Sequence, residues 1–362
     1  MAYRTLDVSK RSVKATALAK KFASRIVSQG DAVNAMIDLV DKYTTGMYDK
    51  SKPIGSLLFL GPTGTGKTAA VEAFVEGLFN NPDKMMKVDC AEFQHSHEVA
   101  KLQGSPPGYL GHRETHPFFT SASIKAARCD AAGNEVMPFT VILFDEIEKA
   151  SDALWQLLLG ILDKKTMTTG TNEKVDFGDT IIIMTSNVGA GEMAADDDAI
   201  GFNKPDVGVD DKKLKDIAMN AARRKFMPEF LNRLDQIVMF KTLSKDDLTL
   251  VRSMMLEKVQ MRIVLGSKVL FEIRVTNAGL DKLLLDGYDK RYNARHLSRT
   301  VENNISLPLM RLVTTSQIQD NDVIVCDYLK NKGEWRYIAV ERQLCLGGKT
   351  LDTILRANAS EN

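Results

Sequence analysis

A lysine, two adjacent carboxylates and an asparagine stand at the ends of apolar runs in this sequence, and together they could handle a phosphate. The lysine is Lys67, within Gly61-Pro62-Thr63-Gly64-Thr65-Gly66-Lys67-Thr68 and followed by Ala69. The stretch fits G-x-x-x-x-G-K-[ST]. Its glycine spacing lets the backbone fold tightly, so that consecutive N–H groups point inward at a phosphate. Lys67 supplies a point charge for β/γ-phosphates, and the Thr68 hydroxyl a ligand for Mg²⁺. A ligand-free glycine turn would leave the lysine unexplained. The acids are Asp145 and Glu146, after Val141-Ile142-Leu143-Phe144. Strand alternation sends neighbouring side chains opposite ways, so the two cannot share a role. Asp145 suits the Mg²⁺ shell. Glu146 is then free to take a proton from an attacking water. A surface turn is the plain alternative, disfavoured by the phosphate loop upstream. Asn187 ends the apolar run Ile181–Ser186. In a parallel sheet the carboxyl ends of strands share one rim, where Asn187 would orient water beside Glu146. A turn or capping asparagine is the other reading.

The elements that must position these groups read as α/β. Strands are expected at 56–60, 86–90, 140–145, 180–186 and 236–240, alternating with helical segments. That alternation predicts a parallel sheet covered by helices on both faces. Val71, Phe74, Val75 and Leu78 fall at i, i+3, i+4 and i+7, which places a helix after the phosphate loop, its positive end toward the phosphates. Ser151 is expected to cap a helix whose Leu154, Leu157, Leu158 and Ile161 form a core stripe. Residues 1–20 read as a polar lead-in and 21–242 as the nucleotide-binding α/β domain. A small α+β lid domain is expected over 243–345, and 346–362 read as a polar tail. In the lid, a helix, a strand at 269–275, a second helix, a long helix over 294–314 and strands near 322–328 and 334–341 are expected. The small, acidic stretch 190–212 reads as a mobile loop.

Lys+Arg 48 against Asp+Glu 47 leaves a formal charge of +1 over 362 residues. No nucleic-acid or membrane surface is implied as the main partner. Cys90, Cys129, Cys326 and Cys345 form no C-x-x-C pair and read as free thiols of a reducing compartment. No apolar leader and no run of the ~18 residues that span a bilayer is visible, so the expectation is a cytoplasmic protein. His95, His97, His112 and His116 lack the carboxylate or cysteine partners of a zinc site and read as solvated loop residues.

In order along the chain, further motifs resemble those of the Clp-type AAA+ protein unfoldases, most of all the second ATPase module of ClpA and ClpB. Arg25–Val33, with Ile26 and Val27, is similar to the segment that packs on adenine. Lys101–Gly111 resembles the pore loop, whose Gly108, Tyr109 and Leu110 would grip substrate. Phe226–Arg233 matches the stretch ending in the arginine finger, and Gly287-Tyr288-Asp289 with Asn293-Ala294-Arg295 the second sensor. The resemblance implies a homo-hexameric, single-ring ATPase with ATP and Mg²⁺ as cofactors. Glu146, Asn187, Arg233 and Arg295 would be catalytic. It would thread unfolded or tagged proteins past Tyr109. Ile200-Gly201-Phe202 matches in place and kind the tripeptide that docks such rings on a Clp-type peptidase; a loop anchor on its own domain is an equal reading. The bland readings of the others are a Tyr109 packed under its loop, a structural salt bridge for Arg233, and an acid-paired helix arginine for Arg295. A nucleotide-switched scaffold that oligomerises without threading is the alternative function. Thr115-His116 replaces the usual Gly-Gly, 128–137 looks longer than usual, and Met227 and Asn293 replace a common arginine and glycine. Asn tolerates positive φ.

Overall fold

The apolar runs around residues 58, 143 and 183 become the inner strands of a parallel sheet, because each is apolar on both of its faces. The computed structural model describes residues 7, 10–23, 25–105, 116–130, 132–192, 211–289 and 293–340. By its contacts the chain divides into two compact units, Met1–Thr242 and Leu243–Asn362.

In the first unit, β1 (Gly55–Leu60), β2 (Met86–Asp89), β3 (Thr140–Asp145), β6 (Thr180–Ser186) and β7 (Gln236–Met239) form a five-stranded sheet in the order β2-β3-β6-β1-β7. Every pairing is parallel, with Leu57 opposite Ile183 and Gln236. Alternation divides the side chains between two cores. Leu58, Leu60, Ile142, Phe144, Ile182 and Met184 pack with Leu154, Leu158 and Ile161 of the helix Asp152–Lys164. Leu57, Phe59, Val141, Leu143, Ile181 and Ile183 pack on the other face with Val71, Phe74, Val75 and Leu78 of the helix Lys67–Phe79. A helix Gly30–Thr45 covers that face too.

Between them lies a feature that the sequence reading lacked, a hairpin of β4 (Thr166–Thr168) and β5 (Lys174–Asp176). Ser151 occupies the expected cap position, but its hydroxyl makes no cap bond and is buried without a partner. Its N–H donates to Phe93 O at 2.8 Å instead, anchoring the turn to the preceding loop.

The second unit begins with the helix Lys245–Gly266, whose first turn is closed reciprocally: Ser244 Oγ accepts from Asp247 N at 3.1 Å, and the Asp247 carboxylate from Ser244 N at 2.9 Å. Its sheet runs β10 (Glu334–Val340), β9 (Val323–Leu329), β8 (Glu272–Val275). The strand expected from 269 starts only at Glu272. Val269 N and Leu270 N are taken by the Ser267 hydroxyl and the Asp320 carboxylate, and so are lost to a ladder. The helix expected over 294–314 is interrupted by a π-turn at Glu302–Ser306, before Leu307–Thr314. Pro308 has no N–H for the carbonyl of Asn304. Tyr337 Oη donates to that carbonyl at 2.7 Å.

Candidate active site

The phosphate loop leaves β1 at Leu60 and enters the helix at Lys67. Gly64 and Gly66 have φ of 79° and 97°, left-handed conformations that a side chain would strain. Gly61 is required for space: a Cβ there would lie 2.5 Å from Phe240 O. Thr65 Oγ1 donates to Pro62 O at 2.9 Å and closes the loop on itself. Gln29 ties it to the strand edge. Its amide donates to Lys241 O at 3.0 Å and accepts from Lys241 N at 3.1 Å, and reaches Thr65 O at 3.5 Å. Pro62 and Thr63 complete the turn, and Ala69 and Ala70 begin the helix, Ala70 N donating to Gly66 O at 2.8 Å.

Lys67 is 7% exposed, and its ammonium donates to Gly61 O at 2.8 Å, Pro62 O at 2.9 Å and Asn187 Oδ1 at 2.7 Å. Asn187 is thus within one bond of the lysine. Its Nδ2 donates to Glu146 Oε1 at 3.3 Å, and its N–H to Glu148 Oε1 at 3.1 Å. A single asparagine therefore links the phosphate-loop lysine to the candidate base.

Thr68 Oγ1 donates to Asp145 Oδ1 at 3.0 Å. The Thr185 hydroxyl donates to the same carboxylate and accepts from Glu146 N at 3.0 Å. Lys87 Nζ stands 3.3 Å from Asp145 Oδ2. A hydroxyl and a carboxylate side by side are the hard oxygen donors that Mg²⁺ takes, with water completing its octahedron. The donor set fits that ion, and Thr68 and Asp145 would hold it. Alternation alone does not part the two acids. Glu146 leaves the strand in a left-handed conformation, φ 57°. Such a conformation costs about 1–2 kcal/mol outside glycine and is held here by the Thr185 hydroxyl. Its carboxylate pairs with Lys149, whose ammonium is pushed above its usual range first by that hydrogen bond. Burial first, then the Asp145 charge, pushes the Cys90 thiol up, so Cys90 is an inert core group.

Ile26 and Val27 are half-buried beside the helix Val13–Ala23, Ile26 N donating to Phe22 O at 2.9 Å. Arg233 follows the short helix Pro228–Asn232 and ion-pairs with Asp163 of its own chain. Asp235, two residues on, accepts from Ser56 N at 2.8 Å, which puts Arg233 near the strand-start edge of the sheet, opposite the phosphate loop. Arg295 is exposed in the first turn of the helix Ala294–Val301 of the second unit. Asn293 before it has φ 44° and ψ −131°, outside the left-handed α region that Asn favours, so replacing the common glycine here is not the mild change expected. Asn293 Oδ1 accepts from Leu243 N at 3.3 Å. Gly108, Tyr109 and Leu110, Thr115, Ile200, Gly201 and Phe202, His112 and Cys345 lie outside the described residues. Cys90, Cys129 and Cys326 are free thiols. Among the described residues no three potential ligands gather as a metal site, and no helix is long and apolar enough to cross a membrane.

Sequence reasoning missed Thr185, Glu148 and Lys149. Thr185 had a readable signal: two positions before Asn187 on a strand, it lies on the same face.

Comparison with known proteins places this geometry in a family. The model of the AAA domain (Cdc48 subfamily) matches residues 52–237, and that of the C-terminal, D2-small domain of ClpB protein matches 243–326. The chain is 38% identical over 321 residues to the ATP-dependent Clp protease ATP-binding subunit ClpC of Staphylococcus saprophyticus, covering 88% of this chain and 37% of that protein. The ClpC of Staphylococcus aureus strain USA300 is likewise 38% identical over 315 residues, covering 87% and 37%. The chain thus spans little more than a third of these relatives' length. A solved structure of closed-state Hsp104 with ATPγS and FITC casein superposes with a TM-score of 0.74 at 29% identity, covering 90% of this chain and 52% of that one.

Proposed function

The chain belongs to the Clp-type branch of the AAA family of ATPases, and from that premise we propose that it binds and hydrolyses ATP to remodel other proteins. The observation that carries this is the hydrogen-bonded path Lys67–Asn187–Glu146 beside the Thr68–Asp145 pair. Lys67 and the loop amides bind the terminal phosphates. Asn187 holds the water and the Glu146 carboxylate in line, and Glu146 Oε1 or Oε2 accepts the water proton. When bound, Mg²⁺ would neutralise developing charge on the phosphate oxygens. Arg233 completes the site of a neighbouring copy, which requires a ring, by resemblance a hexamer. In other NTPases such an arginine is worth about 10³–10⁵ in rate. Tyr109 grips polypeptide by aromatic area rather than by sequence, as suits a motor with many substrates. Ile200-Gly201-Phe202 is the contact for a Clp-type peptidase.

Glu146→Gln tests the core of this reading. ATP binding is retained, hydrolysis falls by about 10²–10⁴-fold, and oligomers that hold substrate accumulate. Hydrolysis at an unchanged rate would overturn it. On the same assay Tyr109→Ala keeps hydrolysis and loses remodelling. If remodelling survives that change, the pore reading of Tyr109 is wrong; a nucleotide-switched scaffold that oligomerises without threading is the alternative function.

A further inference from the structure

Glu146 has no free carboxylate oxygen in this structure. Oε1 accepts from Asn187 Nδ2 at 3.3 Å, and Oε2 is ion-paired with Lys149. Both oxygens are thus turned onto partners of this chain, and an attacking water must displace one of those partners before it can reach the carboxylate. The Asn187 contact belongs to the hydrolytic arrangement already described. The Lys149 contact does not, and nothing in that arrangement needs a second cation there.

The backbone explains why the lysine is where it is. Residues Ile147–Lys149 form one turn of 3₁₀-helix, and Lys149 N donates to Glu146 O at 3.0 Å. That bond closes the turn on the left-handed Glu146 and brings Lys149 back beside it, within reach of its carboxylate. The turn itself is fixed on several sides. Ile147 is fully buried, Trp155 Nε1 donates to Ile147 O at 3.1 Å, and Ser151 N donates to Phe93 O at 2.8 Å. Glu148, between them, accepts the Asn187 N–H at 3.1 Å. Successive residues of one turn therefore address the base and the residue that orients it. Lys149 is itself 47% exposed along its side chain, so it can swing away without unpacking anything.

We propose that Lys149 is a clasp that holds Glu146 in a resting position, so that hydrolysis requires its release, and that it sets the basal rate of ATP turnover. Lys149 is a positioning residue that acts through Glu146 and touches no substrate. The inference rests on Glu146 being the base. An exposed ion pair of this kind favours one side-chain arrangement over its alternatives by up to about fivefold, and the clasp is accordingly weak enough to yield when substrate or a neighbouring copy reorders the site.

The test uses the full chain, assembled with ATP and Mg²⁺. K149A and K149M, the second keeping the length of the side chain, raise the basal turnover about two- to fivefold, and K149R restores the low rate. ATP affinity and thermal midpoint stay unchanged, which a merely structural role would not produce. The further gain on adding an unfolded protein substrate shrinks by the same factor. The double variant E146Q/K149A is as inactive as E146Q, because the effect passes through the base. Basal turnover that stays level or falls in K149A and K149M, or rises equally in K149R, overturns the clasp. If E146Q alone keeps full turnover, the assignment of the base has failed rather than the clasp.

Discussion

The Thr185 hydroxyl donates to Asp145 and accepts from the Glu146 N–H, so one buried side chain holds both acids at the end of β3. Thr185→Val keeps the shape and removes both bonds. It leaves the Glu146 amide without its partner at a left-handed residue, which costs about 1–3 kcal/mol. The expected outcome is a lower denaturant midpoint, corresponding to that loss of unfolding free energy, and a slower turnover, with Thr185→Ser recovering both. A midpoint equal to that of the parent would show that the strained turn needs no such support. Much at this scale was legible in residue types. The loop glycines, Lys67, Thr68, Asp145, Glu146 and Asn187 all stand out by spacing, and the structure brings these groups together at one end of the sheet. Lys149 was illegible because its position depends on a 3₁₀ turn, and no periodicity in three residues announces one.

Among the elements, the inner strands were readable because being apolar on both faces leaves a continuous run, as in Ile181–Met184. The β4–β5 hairpin was not. Thr166–Thr168 and Lys174–Asp176 each bury a single side chain, Met167 and Val175, too short a pattern to distinguish from loop. The break in the helix over 294–314 falls where Pro308 withholds an N–H from Asn304 O, and the Tyr337 hydroxyl that takes up that carbonyl lies too far along the chain for a local pattern to show it. The strand pair β9–β10 gives the second unit a pH response. Cys326 and Tyr337 face one another across β9 and β10. Burial pushes the Cys326 thiol from 9.0 up to about 12 and the Tyr337 phenol from 10.0 up to about 12. Both pKa values are raised in the folded chain, so the folded state holds its protons longer than the unfolded one. Their stabilising contribution is whole below pH 9 and is lost as pH climbs toward 12. Chemical denaturation followed at the second unit should therefore show a falling midpoint across that window. Tyr337→Phe should make the fall shallower, at a cost of about 1 kcal/mol at neutral pH for the bond to Asn304. A midpoint flat from pH 9 to 12 would contradict the burial argument.

At the scale of the whole molecule, the sheet itself argues for a shared site. Arg233 lies near the start of β1 and the phosphate loop beyond its end, so the six residues of that strand, about 20 Å, stand between them. Within one chain Arg233 is held by Asp163. Its proposed task therefore belongs to an adjoining copy, and the Asp163 pair is the contact it must exchange on assembly. Mixing two inactive variants tests this most directly. Arg233→Ala retains its own lysine and base, and Glu146→Gln retains its arginine. Each alone should turn over ATP far below the parent, while subunits exchanged into common assemblies should recover turnover wherever an intact base meets an intact arginine. Co-assembled variants that stay as inactive as either alone, or an Arg233→Ala protein that hydrolyses ATP at the parent rate, would contradict the account.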